Sequence, residues 1–211
     1  MAITSDTSRP VESGALTGGG PAGNERLTAV TGVVLLVLLA ALGVTIVRIG
    51  QLLDIHMFLG VALIAPVGLK LASTGYRFVR YYTSEPRYRR KGPPVPALRL
   101  MAPIVVLSTV AVFATGVVLL LAGPGSRDPW VMFHKVSFFV WLAFMSLHVL
   151  GHLVELPRLV STRQAVLAGH EAVSAGATGR AVALASTLVL GAALGIAAIA
   201  DFAPWTQLQS H

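Results

Sequence analysis

Five stretches of this chain run for fifteen residues or more without an Asp, Glu, Lys or Arg: 29–47, 55–69, 100–126, 136–154 and 181–200. A hydrocarbon core about 30 Å thick is crossed by about 20 apolar residues in a helix, so four of these windows are long enough as they stand. The second has fifteen residues between Asp54 and Lys70, and it reaches spanning length only with Leu52, Leu53 and the turn through Tyr76 added. With 55% apolar and only 12% charged residues among 211, the chain lacks the roughly one-quarter charge of a soluble domain. The expected fold is all-α, a polytopic transmembrane bundle of five spans at about 28–48, 52–76, 98–122, 130–154 and 180–200, all within residues 28–203. There is no cysteine, which excludes disulfides, iron–sulfur ligation and thiolate zinc sites.

The net charge of +7 reads as topology rather than as a nucleic-acid footprint. Half of the sixteen Lys and Arg residues lie between Lys70 and Arg99, opposed by Glu85 alone. Basic residues in short loops stay on the cytoplasmic side. The loop at 77–97 holds Arg77, Arg80, Arg87, Arg89, Arg90 and Lys91, and the loop at 155–179 holds Arg158 and Arg163, with Arg180 just beyond. The opposite face carries Arg48, Arg127 and Lys135. A multi-pass plasma-membrane protein is therefore expected, with its N-terminus cytoplasmic and the tail at 204–211 outside. Trp130 and Trp205 then fall at the outer interface, and Tyr76, Tyr81 and Tyr82 at the inner one. Residues 1–27 are rich in Gly, Ser and Thr and contain no apolar core of a cleavable signal, so they are expected to be disordered, with the first apolar run kept as an anchor. Between 157 and 179 the chain is too polar to cross, and a short interfacial helix is expected around 165–173.

Four of the six histidines fall in the expected spans: His56, His134, His148 and His152. Ionisable residues are costly there and usually face the bundle interior. His56 begins the second span and His134 the fourth, and both spans run in the same direction, so the two imidazoles lie at similar depth. They can ligate one iron from opposite faces of a haem. His148 follows His134 by fourteen residues, which is about 21 Å of rise and close to four whole turns, so both rings share one helix face. Lys70 follows His56 by the same interval and is expected on that face at the depth of His148, as a haem-propionate partner, a proton-transfer group, an unusual ligand or a snorkelling anchor. His148 and His152, four apart, share a face and do not clamp one porphyrin between them. Gly60, Gly68, Gly116 and Gly151 are expected to permit close helix approach, and Pro66 and Pro103 to kink their helices.

The run from His134 through Trp141 and His148 to His152, together with His56-Met57-Phe58-Leu59-Gly60, resembles the membrane-integral b-type cytochromes. Among these are the cytochrome subunits of formate dehydrogenase and nickel–iron hydrogenase and the ferric-reductase-like transmembrane proteins. The resemblance covers roughly residues 53–153. It implies a core of four spans that binds haem b, a peripheral oxidoreductase subunit as partner, and a quinone as a further one. His56 and His134 correspond to a complete axial pair for an outer-side haem. For a second, inner-side haem, or for a quinone site, His148, His152 and Lys70 are the candidates, but the second partner histidine of the two-haem members is missing. One haem is the expectation, with a second left open.

Two other functions use the same residues: a divalent metal transporter or sensor with His56, His134 and His148 as ligands, and a cofactor-free membrane anchor subunit. The pathway that these histidines would line lacks an intramembrane Asp or Glu, and no Met-rich or His-rich metal-collecting tail is present. It also lacks a nucleotide-binding glycine motif, so an electron-transfer component is expected rather than a self-contained enzyme. A reporter fused after His211 is expected to score as external; a cytoplasmic signal overturns the five-span orientation.

Overall fold

The computed structural model describes residues 20–83, 96–160 and 176–207, with the side chains of 96–99 and 152–160 outside the description. Among the described residues the chain is helical without strands. The helices are α1 (Gly20–Val47), α2 (Ile49–Ala62), α3 (Ile64–Tyr82), α4 (Pro96–Ala122), α5 (Arg127–Val160), α6 (Ala177–Ala197) and a short α7 (Ala203–Gln207). Five spans are long and apolar enough to cross a membrane, with α2 and α3 together forming one of them. This is a multi-pass membrane protein. α1 begins at Gly20, eight residues before the expected span and inside the segment expected to be disordered. α5 runs on to Val160, into the segment expected to be a loop. The interfacial helix expected around 165–173 falls outside the described residues.

Burial follows the solvent. The buried polar residues are Thr31, Thr45, Ser73, Ser108 and Thr109, whereas large aliphatic side chains such as Val37, Leu107, Leu121 and Val189 are exposed over most of their surface. Among the described residues the buried hydrophobic side chains, Leu35, Leu63, Val105, Phe202 and Trp205, are no more numerous than the buried polar ones. Against lipid tails it is the expected arrangement, because apolar surface gains nothing by leaving hydrocarbon, and small or hydroxyl-bearing residues let helices approach and bond.

Sharp local breaks shape the spans. Arg48 (φ −121°, ψ 39°) is the single residue between α1 and α2, and Leu52 (φ −121°, ψ 25°) kinks the first turn of α2, so the chain reverses there within a few residues. Pro66 marks the second break. It has no N–H to offer the Ala62 carbonyl one turn earlier. Gly191 of α6 packs directly against that freed carbonyl, and Gly195, one turn on, lies against the Phe58 ring. Leu63 and Pro66 are almost wholly buried at this contact. α4 ends at Gly123, whose φ of 70° is the left-handed conformation glycine tolerates, and a 3-10 turn over Pro124–Ser126 starts α5.

Two units result. α4 and α5 form an intimate antiparallel hairpin, while α1, the bent α2–α3 span and α6 pack together. The units meet where α2 touches α4 and where the Trp205 indole N–H of α7 donates to the Leu120 carbonyl at 3.3 Å. Trp205 is buried, so it acts as a lock between the units rather than as part of a lipid-facing aromatic belt. At the other end, α3 closes with Tyr76, Arg80 and Tyr82 exposed, and the Arg80 guanidinium lies 5.5 Å from the Tyr76 ring centre.

Among the glycines expected at close approaches, Gly116 packs against the His134 ring, whereas Gly60 and Gly68 face open space; Gly32, Gly191 and Gly195 also make close contacts. Gly191→Val and Gly195→Leu are each expected to cost about 1–3 kcal/mol through overpacking, read as earlier thermal aggregation in detergent. Gly43→Ala, with open space around its new methyl, is expected to be tolerated.

Candidate functional site

The histidines at the starts of two different spans come together. His56 of α2 and His134 of α5 have ring centres 6.5 Å apart with their planes at 76°. Two imidazoles on opposite sides of one metal centre stand about 6.4 Å apart between ring centres, since a metal–imidazole bond is about 2.0 Å and each ring centre lies about 1.2 Å behind its nitrogen. Rings sharing such an axis can take any angle between their planes, because each turns about its own metal–nitrogen bond. The observed ring-centre separation lies close to that value.

Each ring is held from a neighbouring helix. Thr45 of α1 places its Oγ1 2.9 Å from Nδ1 of His56, and the same hydroxyl donates to the Leu42 carbonyl at 2.6 Å. On α4, Thr115 Oγ1 lies 3.2 Å from Nδ1 of His134 and donates to the Ala111 carbonyl at 2.8 Å. Ser137, one turn beyond His134, is 3.0 Å from the Thr115 hydroxyl. Gly116 makes room for the ring: a methyl there would sit 3.0 Å from Cε1 of His134. Both imidazoles are half-buried, and Arg48 and Lys135 lie exposed near the same end of the bundle.

The uninterrupted α5 carries His134 and His148 on one face, as the fourteen-residue interval requires, with Trp141 halfway between them. Trp141 Nε1 donates to Thr109 Oγ1 at 3.1 Å, which confirms that this face looks onto α4. His148 is half-buried nearer the opposite end, and the described residues hold no histidine on another helix to complete a second pair there. His152 lies on α5 with its side chain outside the described residues.

Lys70 has the expected depth but not the expected direction. Its Nζ donates to the Thr28 carbonyl of α1 at 2.6 Å and sits against Gly32. Thr28 and Thr45, the α1 partners of Lys70 and His56, are seventeen residues and so about 25 Å apart along the helix. Helical phase carried from His56 would aim Lys70 into the face shared with α5. The break around Pro66 interrupts that phase, and α3 turns the ammonium toward α1. There it belongs to a polar clasp in which Asn24 Nδ2 donates to the Ser73 carbonyl at 3.0 Å and the Thr28 hydroxyl to Ser73 Oγ at 3.0 Å.

Thr45, Thr115 and Ser137 are the site residues that sequence reasoning missed. A hydroxyl in an apolar helix usually bonds its own backbone, and only the neighbouring helix reveals the second partner.

The chain matches no protein-family model, no curated protein and no solved structure. For the α4–α5 contact, a double-mutant cycle of Thr109→Val and Trp141→Phe is expected to give a coupling of about 0.6 kcal/mol in unfolding from micelles. A coupling of zero would remove this bond from the forces that hold the hairpin.

Proposed function

We propose that this chain is a transmembrane haem b protein with His56 and His134 as the axial ligands of one haem, and that it carries electrons within the membrane between a partner oxidoreductase and a quinone or another acceptor. The observation that carries the reading is the meeting of these two imidazoles, 6.5 Å apart and contributed by two different spans. A bare zinc or copper ion takes about four protein ligands, whereas a porphyrin brings four nitrogens and needs only two more. Among the described residues no group of three His, Cys, Asp or Glu stands together, so the pair fits the macrocycle better than a naked ion.

When bound, haem supplies a one-electron ferric/ferrous couple. The protein's residues hold and tune it. His56 and His134 approach from separate helices and would hold the group from both sides with no open position left, which suits electron transfer rather than oxygen activation. Gly116 gives the His134 ring its space. Arg48 and Lys135, near the same end, are the cations available to carboxylates there. His148, nearer the basic end of α5, is the residue assigned to the acceptor's site, while Lys70 serves the α1–α3 clasp. The location proposed is the plasma membrane with the histidine pair toward the outer face, on the strength of the basic loops.

A visible spectrum of detergent-purified protein with pyridine haemochrome quantification tests this. The expected result is about one haem b per chain, lost in both His56→Ala and His134→Ala and kept in His148→Ala. Colourless protein from haem-sufficient cells overturns the proposal. Loss of all haem in His148→Ala alone would instead move the site to the other end of the bundle.

A further inference from the structure

We infer that Thr45 and Thr115 are positioning residues for the histidine pair: each accepts a hydrogen bond from Nδ1–H of its histidine, which presets Nε2 as the ligating nitrogen and strengthens it as a donor. The inference rests on the haem reading for its redox consequence, but its structural half concerns these side chains alone.

The assignment follows from where the hydroxyl hydrogens go. A carbonyl can only accept, so the contact of Thr45 Oγ1 with the Leu42 carbonyl at 2.6 Å uses the one hydrogen that hydroxyl has. Its bond to His56 Nδ1 at 2.9 Å must then have the ring as donor. A neutral imidazole carries a single N–H, so Nε2 of His56 keeps its lone pair. Thr115 repeats the arrangement, with its hydrogen taken by the Ala111 carbonyl at 2.8 Å or the Val112 carbonyl at 3.1 Å and with His134 Nδ1 at 3.2 Å, although the His134 ring also has the Val112 carbonyl as a backbone partner. The Trp141 contact acts as an internal control. An indole N–H can only donate, and it meets Thr109, whose hydroxyl likewise donates to its own helix, at the Val105 carbonyl, 2.6 Å away. In all three cases a back-bonded threonine serves as the acceptor for a ring N–H from the neighbouring helix.

Within the bilayer no water replaces a lost acceptor. Valine at position 45 is nearly the same shape but leaves the Nδ1–H unmet, so the proton moves to Nε2 or the ring turns away, and the lone pair is lost from the ligating position. With the acceptor present, the imidazole is pulled toward imidazolate character, which favours ferric over ferrous iron and lowers the potential. The two sides are unequal. Thr45 is buried and makes the shorter bond, whereas the Thr115 hydroxyl is shared with Ser137 at 3.0 Å and the His134 ring keeps the Val112 carbonyl as a second partner, so the larger effect belongs to Thr45.

The test uses the full chain in detergent, as wild type and as Thr45→Val, Thr45→Ser, Thr115→Val and Thr115→Ser. Nitrogen-15 NMR of histidine-labelled, haem-free protein reads the tautomers. Nδ1–H is expected for His56 and His134 in the wild type and in both serine variants, with loss of that preference at His56 in Thr45→Val and a weaker loss at His134 in Thr115→Val. In haem-loaded protein, Thr45→Val is expected to weaken haem retention about 10–100-fold and to raise the midpoint potential. Thr45→Ser should restore both, and Thr115→Val should shift both less and in the same direction. Nε2–H tautomers in the wild type, or valine variants with wild-type tautomer, retention and potential, overturn the inference. A wild type that shows the Nδ1–H tautomers but takes up no haem overturns the haem reading and the redox half with it, and leaves the tautomer assignment standing.

Discussion

Hydrocarbon offers no hydrogen bonds, so a polar atom inside a span has to be met by another part of the chain. In this protein the recurring answer is a threonine that satisfies its own hydroxyl on its helix backbone and keeps its lone pairs for a neighbour. Thr45, Thr109 and Thr115 do this for His56, Trp141 and His134. The arrangement joins helices at points that are polar, directional and dry. It also makes the orientation of each ring a consequence of helix packing rather than of the ring's own rotamer preference.

Backbone breaks supply the second layer of organisation. Pro66 interrupts the long second span and leaves the Ala62 carbonyl open, and the absence of a side chain at Gly191 brings α6 onto it. Because the span bends there, its two polar residues face different partners. His56 stays with the hairpin of α4 and α5, and Lys70 turns to α1. One span thus holds a ring for a proposed cofactor near one end and clasps its neighbour near the other.

The three-span unit and the hairpin each have their own close contacts, and they are tied mainly near the histidine end through α2 and Trp205. The His56–His134 pair, drawn from α2 and α5, bridges those two units. On the proposed function, cofactor binding therefore also cross-links the fold, and loading with haem and assembly of the bundle become one process.

Hydropathy and charge alone determined the all-α class and the five spans, because a bilayer of fixed thickness accepts so few backbone arrangements. Helical phase alone placed His134 and His148 on one face of α5, which no proline interrupts between them. It misdirected Lys70, because phase does not pass unchanged through the break at Pro66. It also attached no role to Thr45 or Thr115, whose local pattern is that of any hydroxyl bonded back to its helix. Similar depth for His56 and His134 was legible from span direction. Their approach to 6.5 Å depends on how α2 docks against the hairpin, and helix docking is set by distant glycines, a bent span and threonine lone pairs that no local pattern encodes.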